Sequence, residues 1–410
     1  MTTAQSRRAT LILLIVSGLI ISICMGLRQS FGLFMRPITL ELGISAAAFG
    51  FSVALQNIVW GFGQPIVGAL ADRYGARPVL VVTSVIYALG LLMVMFARGE
   101  LGLGVAGFMI GVGIAGTGFG ILIGVVTRST PPERRSQTVG AVAAAGSLGT
   151  MLIAPLGQMI VDGMGWRAGI VAFAAVAMLM MLLSFAIREP AVIDEHAGST
   201  APRQTLREAL LVAWRHRGFL AMSGAYFACG FQLIFITTHL PQYLELCGQA
   251  PSLGAAALAL IGLFNTIGTY SIGLMGARYS QKRLLAYIYL LRTIAIAGFL
   301  YMPVTPTTTL VFASVMGLLW LGVAPLVTGI VSRMFGLLHF NMIFGLSFLS
   351  HQIGSFFGAW IGGAVLDWTG RYDWAWIALI AIGATAFTLQ WWMDDRPAEA
   401  RGATTPAAAA

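Results

Sequence analysis

The stretch GALADRYGAR, residues Gly68–Arg77, contains the end of one long apolar run, 46 to 70, and the charged turn that leads to the next, 78 to 97. Its glycines permit a tight turn and a close approach of the flanking segments. Its Asp72 can cap a neighbouring helix or pair with a cation. A charged turn that joins two apolar runs of about 20 residues predicts two helices that cross a membrane in opposite directions.

Similar apolar runs recur along the whole chain of 410 residues, of which 58% are hydrophobic and only 10% are charged. The mean hydropathy of +0.85 excludes a soluble domain of this size. We therefore predict an all-α polytopic membrane protein with twelve transmembrane helices. The predicted spans are 10 to 36, 46 to 70, 78 to 97, 101 to 127, 138 to 161, 166 to 187, 218 to 243, 252 to 276, 284 to 302, 308 to 332, 340 to 365 and 372 to 393.

The basic residues are distributed unequally between the two sides of this predicted bundle. Eighteen of the 24 lie in the connectors of one side and four in those of the other. This excess predicts that both termini are cytoplasmic in a protein of the cell inner membrane. The net charge of +9 is thus an orientation signal, and it predicts contact with the lipid bilayer and not with nucleic acid. The remaining two, Arg28 and Arg292, lie within spans without a neighbouring acid, and such charges usually mark a substrate path.

An internal duplication divides the chain near its middle. An offset of 205 residues aligns Arg73 with Arg278, Arg128 with Arg333, and Asp162 with Asp367. Because charged residues are scarce here, these matches at equivalent helix ends predict two six-helix pseudo-repeats. The predicted units are an N-terminal bundle (1–187), a cytoplasmic interdomain loop (188–217), a C-terminal bundle (218–393) and a disordered cytoplasmic tail (394–410).

The stretch Gly68–Arg77 resembles the loop signature of the major facilitator superfamily, whose members consist of two six-helix halves that rock around a central site. The resemblance implies a gate on the cytoplasmic side, in which Asp72 pairs with Arg128, and Glu133 pairs with Arg73 and Arg77. The second copy, 273–282, lacks the acid, so we expect a stronger gate on the first half. The predicted gate residues are Asp72, Arg73, Arg77, Arg128, Glu133, Arg278 and Arg333.

Further stretches resemble the monocarboxylate-transporter and oxalate-exchanger group of that superfamily. They are Gly26–Phe34, Glu41–Ser45, Gln64-Pro65, Thr238–Pro241, Phe264-Asn265 and Trp320. Arg28 falls where monocarboxylate transporters place a lysine. The group's arginine in span 8 is replaced by Thr269, and the oxalate exchanger's lysine in span 11 is replaced by His351. The resemblance therefore implies a carboxylate site whose anchor has moved.

We predict that Arg28 is this anchor, because the planar fork of arginine can donate two parallel hydrogen bonds to a carboxylate. Arg292 lies on a helix that is peripheral in the fold, which favours a structural role and leaves a second cationic contact open. The two histidines and the other lining residues can equally serve in packing. The predicted substrate-binding residues are Arg28, Gln29, Asn57, Phe119, His239, Asn265, Thr269, Trp320, His351 and Gln352.

The sequence favours a secondary transporter of small organic anions, foremost monocarboxylates, by alternating access. All fifteen acids lie in connectors, at span ends or in the tails, so proton symport, exchange and uniport stay open. The alternatives are a dicarboxylate or anion exchanger and a multidrug exporter of the same fold, although an exporter of cations generally needs a membrane acid. No metal spacing, phosphate loop or nucleophile beside a base is present, so we predict no enzyme and no cofactor. The expected partners are a small carboxylate and, if transport is coupled to protons, protons as well. We expect the protein to be a monomer.

Overall fold

The computed structural model describes residues 3–130, 135–187, 206–335 and 340–398. In these ranges the chain is almost wholly helical and has no β-strand. The first half contains α1 (Thr3–Ser30), α2 (Met35–Leu42), α3 (Ala46–Tyr74), α4 (Ala76–Met95), α5 (Gly99–Thr117), α6 (Phe119–Arg128), α7 (Arg135–Met164) and α8 (Trp166–Ser184). The second half contains α9 (Leu206–Arg215), α10 (Arg217–Leu246), α11 (Pro251–Arg278), α12 (Gln281–Tyr301), α13 (Pro306–Leu318), α14 (Val323–Phe335), α15 (Phe340–Thr369) and α16 (Asp373–Trp392).

The all-α membrane fold is confirmed. Eleven helical spans of the described residues are long and apolar enough to cross a membrane. The remaining predicted span, 340 to 365, corresponds to α15, which has 30 residues and carries buried polar side chains, among them His351 and Gln352. Local signals in the sequence account for several helix ends. Ser45 caps α3 by accepting from the Ala48 amide at 3.0 Å, and Gly43 ends α2 in the left-handed conformation at φ 62°.

The fourth span of each half is broken into two helices, which the continuous apolar runs 101 to 127 and 308 to 332 did not predict. In the first half the break lies at Gly118, between α5 and α6. In the second half it lies at 319–322, between α13 and α14. The offset of 205 residues places Gly118 at Val323, directly after the second break, so the two breaks lie within a few residues of equivalent positions.

Close helix contacts repeat with the same offset in the two halves. A Cβ added at Gly149 would overlap the carbonyl oxygen of Ser22, and one added at Gly354 would overlap that of Phe227. Glycine is thus required at both crossings, because only a residue without a Cβ lets the backbones approach so closely. Both the glycines and their partners are related by 205 residues. The buried apolar side chains form two clusters, each drawn almost wholly from one half.

The predicted loop and tail lie partly outside the described residues. The loop 188–217 contains α9, whereas 188–205 are not described. At the start of the predicted tail, Asp395 forms an ion pair with Arg333, and the Ala398 amide donates to the Met334 carbonyl at 2.9 Å. The prediction of a disordered tail from 394 did not foresee these contacts, and 399–410 are not described.

Candidate functional site

Arg28 lies near the end of α1, where the helix passes into a 3₁₀ turn at Phe31–Phe34. Its Nη2 donates to Asn57 Oδ1 on α3 at 2.8 Å, and its guanidinium lies 4.8 Å from the ring centre of Trp60. Asn57 is itself oriented by a bond from its Nδ2 to the Val53 carbonyl at 2.8 Å. Within the described part of the chain no acidic side chain pairs with Arg28. Its positive charge is therefore met only by an amide oxygen and an aromatic face.

The guanidinium of Arg28 has unused hydrogen-bonding capacity. Its Nε is buried and has no acceptor among the described residues. A buried donor without a partner costs about 1 to 3 kcal/mol, and more on a charged group. Arginine carries five N–H groups in a fixed fork, so an acceptor with two oxygen atoms would fit the vacant positions. This arrangement is chemically suited to a small planar anion.

Aromatic rings connect Arg28 with the second half. Trp60 meets Phe348 of α15 edge to face at 5.2 Å between ring centres. Phe348 stacks on His351 at 6.0 Å, and His351 lies 4.7 Å from Tyr226 of α10. The predicted site residue His351 is thus linked to Arg28 through rings at the interface of the halves.

The amide of Gln352 completes the polar contacts at this interface. Its Nε2 donates to the Asn57 backbone carbonyl at 3.1 Å, and its Oε1 lies 3.1 Å from His351 Nδ1. The structure therefore brings together four of the predicted residues, Arg28, Asn57, His351 and Gln352. Gln29 is buried beside Arg28 along α1, and the half-buried Phe119 begins α6.

Asn265 and Thr269 belong to a different polar cluster. Asn265 Oδ1 accepts from the Leu321 amide and from Thr269 Oγ1, both at 2.9 Å, while Asn265 Nδ2 donates to Ser147 Oγ at 2.7 Å. The Leu321 amide, which Asn265 accepts from, belongs to the residue directly after Trp320. Trp320 is buried in the break of the tenth span. The hydrogen bonds that we expected these residues to offer a substrate are used within the protein.

Arg292 completes this second cluster. The expectation that it occupies an outer helix does not describe its side chain, which is fully buried. Its Nε donates to the Leu319 carbonyl at 3.0 Å, its Nη2 to the carbonyls of Leu319 and Trp320, and its Nη1 to Cys229 Sγ at 3.2 Å. The guanidinium thus caps the carbonyl end of α13, where a cation is favourable. All three nitrogens are engaged, which favours the structural role.

His239 is also fully engaged in packing. It is completely buried, with Nε2 at 2.7 Å from the Ala359 carbonyl and Nδ1 at 2.9 Å from the Tyr372 hydroxyl. Because a carbonyl only accepts, Nε2 carries the proton, and in the neutral ring Nδ1 accepts from Tyr372. His239 therefore joins α10 to α15 and α16 and does not offer a free ring nitrogen to a ligand.

The predicted gate lies partly outside the described residues, since Glu133 and the side chains of Asp72 and Arg128 are not described. Arg77 donates from Nε and Nη2 to the Ile187 carbonyl at 3.0 and 2.9 Å. Arg73 lies over the ring of Tyr74 at 5.2 Å, and Arg278 is exposed. Of the described members, Arg333 alone forms an ion pair, and its partner is Asp395.

The end of the bundle opposite the predicted gate, where α1 ends and α3 begins, is here called the far side. The sequence did not predict the contacts that join the two halves there. Arg36 of the first half pairs with Glu245 of the second at 2.5 Å. The carboxylate of Asp367 on α15 accepts from the amides of Ala46 and Ala47, at 3.0 and 2.6 Å, in the first turn of α3. These contacts hold the two halves together on the far side.

Sequence reasoning also missed Trp60, which is 4% exposed and lies against the anchor. The signal available was its position in the duplication, because the offset of 205 residues aligns Trp60 with Asn265. Trp60 therefore shares its position in the repeat with a polar residue that the sequence had placed in the site.

Comparisons with known proteins agree with this architecture. The model of the Major Facilitator Superfamily matches residues 12–338. Among curated relatives, monocarboxylate transporter 11 of Mus musculus is 29% identical over 213 residues, which are 51% of this chain and 45% of that protein. Monocarboxylate transporter 13 of Rattus norvegicus is 24% identical over 61% of this chain and 57% of that protein. The match thus spans about half the length of these relatives.

A third relative is matched over most of its length. The nitrite extrusion protein of Bacillus subtilis (strain 168) is 22% identical over 88% of both chains. Among solved structures, the nucleoside transporter NupG has a TM-score of 0.74 at 15% identity, covering 93% of this chain and 98% of that one. A bacterial homolog of the human lysosomal transporter Spinster, inward-facing and occupied, has a TM-score of 0.72 at 16% identity, covering 93% and 97%. At these identities the structures show the fold alone.

A family match over most of the chain, two related six-helix halves and broken fourth and tenth spans agree with one another. The relatives and structural neighbours are membrane transporters and not enzymes. The chain belongs to the Major Facilitator Superfamily.

Proposed function

We propose that the protein is a secondary transporter that moves small organic anions, foremost monocarboxylates, by alternating access. The observation that carries the proposal is Arg28, a cation in the first span with no acidic partner among the described residues and with a buried, unpaired Nε. A charge at membrane depth costs several kcal/mol unless it is compensated. A bound anion supplies the compensation that the protein itself does not.

The charge balance favours a substrate with a single negative charge. The second membrane arginine, Arg292, already donates to two carbonyls and to Cys229. A dicarboxylate would leave one charge without a cation at the site, since Arg28 offers only one. The names of the relatives, monocarboxylate transporters 11 and 13, support the same substrate class.

The contacts between the halves support alternating access. Ion pairs and helix-end bonds join the halves on the far side, through Arg36, Glu245 and Asp367. Gln352 joins them near the middle of the bundle by donating to the Asn57 carbonyl. We therefore assign this structure to a conformation closed on the far side, and transport requires these contacts to break.

A second candidate substrate is a planar inorganic anion of the size of nitrite. The observation that favours it is the nitrite extrusion protein, which is matched over 88% of both chains. Nitrite also presents two oxygen atoms to the arginine fork, so the same anchor would serve. The two candidates differ in whether the site must accommodate a carbon substituent.

A binding screen tests the proposal. The purified full chain is heated in detergent with acetate, pyruvate, benzoate, oxalate, malonate or nitrite. We expect monoanions to raise the unfolding temperature and the dianions to do so less, because ligands stabilise the state that they bind. Arg28→Gln should abolish the response, whereas Arg371→Gln, which removes an exposed arginine of equal charge, should retain it. If no monoanion stabilises the wild type, or if Arg28→Gln keeps the full response, the proposal is wrong.

A further inference from the structure

The two broken spans are equivalent in the internal repeat, yet the hydrogen bonds around their breaks differ. The break at 319–322 is bonded by side chains from neighbouring helices. Arg292 donates to the carbonyls of Leu319 and Trp320 at the end of α13, and Asn265 accepts from the Leu321 amide. Side chains of the protein thus bond the backbone groups that this break leaves without partners in a helix.

The offset of 205 residues identifies the counterparts of these two side chains at the break of the fourth span. Arg292 corresponds to Tyr87, and Asn265 corresponds to Trp60. The Tyr87 hydroxyl donates to the Cys24 carbonyl at 3.4 Å, on α1, and does not bond the break. Trp60 Nε1 is buried and has no acceptor among the described residues. A Cβ added at Gly118 would lie 3.6 Å from that nitrogen. The unpaired indole N–H therefore lies beside the break.

The helix that follows the break adds further donors. α6 begins at Phe119 and has ten residues, and the first turn of a helix leaves N–H groups without intrahelical partners. The positive end of the helix dipole lies there as well. Gln64 contacts the same turn, since a Cβ at Gly120 would lie 2.9 Å from its Nε2, and its Oε1 is buried and unpaired. The amide nitrogen of Gln64 therefore already faces this turn, where its N–H groups can donate.

Arg28 supplies the charge beside these donors, because its guanidinium lies over the indole of Trp60 at 4.8 Å. The break of the fourth span is thus bordered by an unpaired indole N–H, a helix N-terminus and a cation with an unpaired Nε. The equivalent break is bonded by Arg292 and Asn265. The two breaks therefore differ in their donors. Those beside the break at Gly118 lack acceptors, whereas the groups at 319–322 are bonded.

We propose that the break between α5 and α6 is the subsite for the anionic group of the substrate, with Trp60 as a substrate-binding residue. One oxygen of a carboxylate accepts from Trp60 Nε1 and the first turn of α6, and the other accepts from Arg28. This subsite rests on the proposed function and makes it more specific. It selects a planar monoanion whose substituent extends from Trp60 toward Phe348 and His351, the rings that follow it in the interface.

Trp60→Phe tests the role of the indole N–H, because it retains a six-membered ring beneath Arg28 and removes the donor together with the five-membered ring that carries it. Isothermal titration of the full chain with pyruvate and benzoate should show an affinity at least about tenfold weaker than that of the wild type, as expected for a lost hydrogen bond to a charged group. The unfolding temperature without anion reflects two opposing effects, a small cavity that destabilises and the removal of an unpaired buried donor that stabilises, so the affinity is the decisive measurement. A role in packing alone would change stability and not affinity.

Trp376→Phe is the matched control. Trp376 is also buried with an unpaired Nε1, but it packs in the second half among Phe235, Tyr243 and Phe299. Its variant should bind both anions as the wild type does. Gly118→Ala is a second variant that removes no side-chain donor. Its Cβ would lie beside Trp60 Nε1 at 3.6 Å and would approach the Ile114 carbonyl oxygen at 2.7 Å, so the break must shift, and binding should also weaken.

The outcomes separate the subsite from the proposed function. If Trp60→Phe and Gly118→Ala bind as tightly as the wild type while Arg28→Gln does not bind, the subsite is wrong and the transporter proposal stands. If the wild type binds neither these anions nor nitrite, the proposed function itself fails. A loss of affinity in Trp376→Phe equal to that in Trp60→Phe would also overturn the subsite, because the effect would not depend on position.

Discussion

At the scale of single residues, the two membrane arginines differ in how far the protein satisfies their hydrogen bonds. Arg292 is fully buried and bonded through all three nitrogens, so it stabilises the fold. Arg28 is left with an unpaired Nε, so the fold gains less from it. A residue held ready for a ligand commonly reduces stability, because its bonding capacity is reserved.

This difference predicts opposite effects of the same substitution. Arg292→Met would leave the carbonyls of Leu319 and Trp320 without their donor, at a cost of about 1 to 3 kcal/mol for each. Its unfolding temperature in detergent should fall clearly. Arg28→Met should unfold at or above the wild-type temperature and should lose binding of anions. Differential scanning fluorimetry of both variants without ligand measures this.

Arg292→Lys is the control for that pair, because it retains the charge and loses the planar fork. We expect intermediate stability, since an ammonium group can reach fewer of the three acceptors. An Arg292→Met variant as stable as the wild type would contradict the structural role of Arg292.

Sequence reasoning could identify Arg28, because an unpaired charge in an apolar span is visible without any structure. It could not exclude His239 or Asn265 from the site. The bonds that occupy His239 come from Tyr372 and from the carbonyl of Ala359, which lies 120 residues further along the chain. Backbone acceptors have no sequence signature, so a bonded polar residue and a free one look alike until the helices are packed.

At the scale of elements, the positions of the twelve spans followed from apolar length, but their breaks did not. Hydropathy is high on both sides of Gly118 and across 319–322, so a run of apolar residues predicts one continuous helix. The breaks depend on local backbone geometry and on side chains from other helices, such as Arg292 and Asn265. α15 shows the converse, because the apolar run 340 to 365 was sufficient to predict a span despite the buried polar side chains that it carries.

On the far side, hydrogen bonds join α15 of the second half to the start of α3 in the first half, but the equivalent helices of the repeat lack this contact. Asp367 accepts from the amides of Ala46 and Ala47 at the start of α3. The offset of 205 residues relates Asp367 to Asp162 and Ala46 to Pro251, the first residue of α11. Proline has no N–H to donate. Asp162 instead accepts from Gln158 of its own helix at 2.7 Å.

Asp367→Ala should therefore open the far side, whereas Asp162→Ala should not. The loss of a carboxylate at a helix N-terminus costs about 1 kcal/mol, which shifts a two-state equilibrium about fivefold. Spin labels at the exposed native Cys247 and at Leu101→Cys report the separation of the halves on that side, because Cys24 and Cys229 are buried. Double electron–electron resonance should show more of the longer distance in Asp367→Ala only. An equal shift in Asp162→Ala would contradict this role of the Asp367 contact.

At the scale of the whole molecule, the duplication is preserved in packing and has diverged in chemistry. Gly149 and Gly354 meet equivalent carbonyls. The Cys24 carbonyl accepts from Tyr87, and the sulfur of the equivalent Cys229 accepts from the equivalent Arg292. The scaffold of the two halves is thus the same. Charge has been placed differently, with Arg292 bonded inside the second half and Arg28 left open in the first.

The open charge of Arg28 bears on how the transporter returns after release. With a monoanion bound, the site is neutral when the halves rock and both sides are closed. Without it, the same step must occlude an uncompensated cation, because the described spans hold no acid beside Arg28. The penalty for burying such a charge is several kcal/mol, and each 1.36 kcal/mol slows a step about tenfold. The return of the empty carrier should therefore limit net transport.

We predict that exchange is at least about tenfold faster than net uptake. Proteoliposomes loaded with unlabelled pyruvate should accumulate labelled pyruvate faster than empty ones, and Arg28→Gln should remove both activities. An imposed pH gradient should leave the exchange rate unchanged, because the bound monoanion already neutralises the site. Equal rates of exchange and net uptake would contradict this charge argument and would require a second group, such as a proton carrier, that moves with the empty transporter.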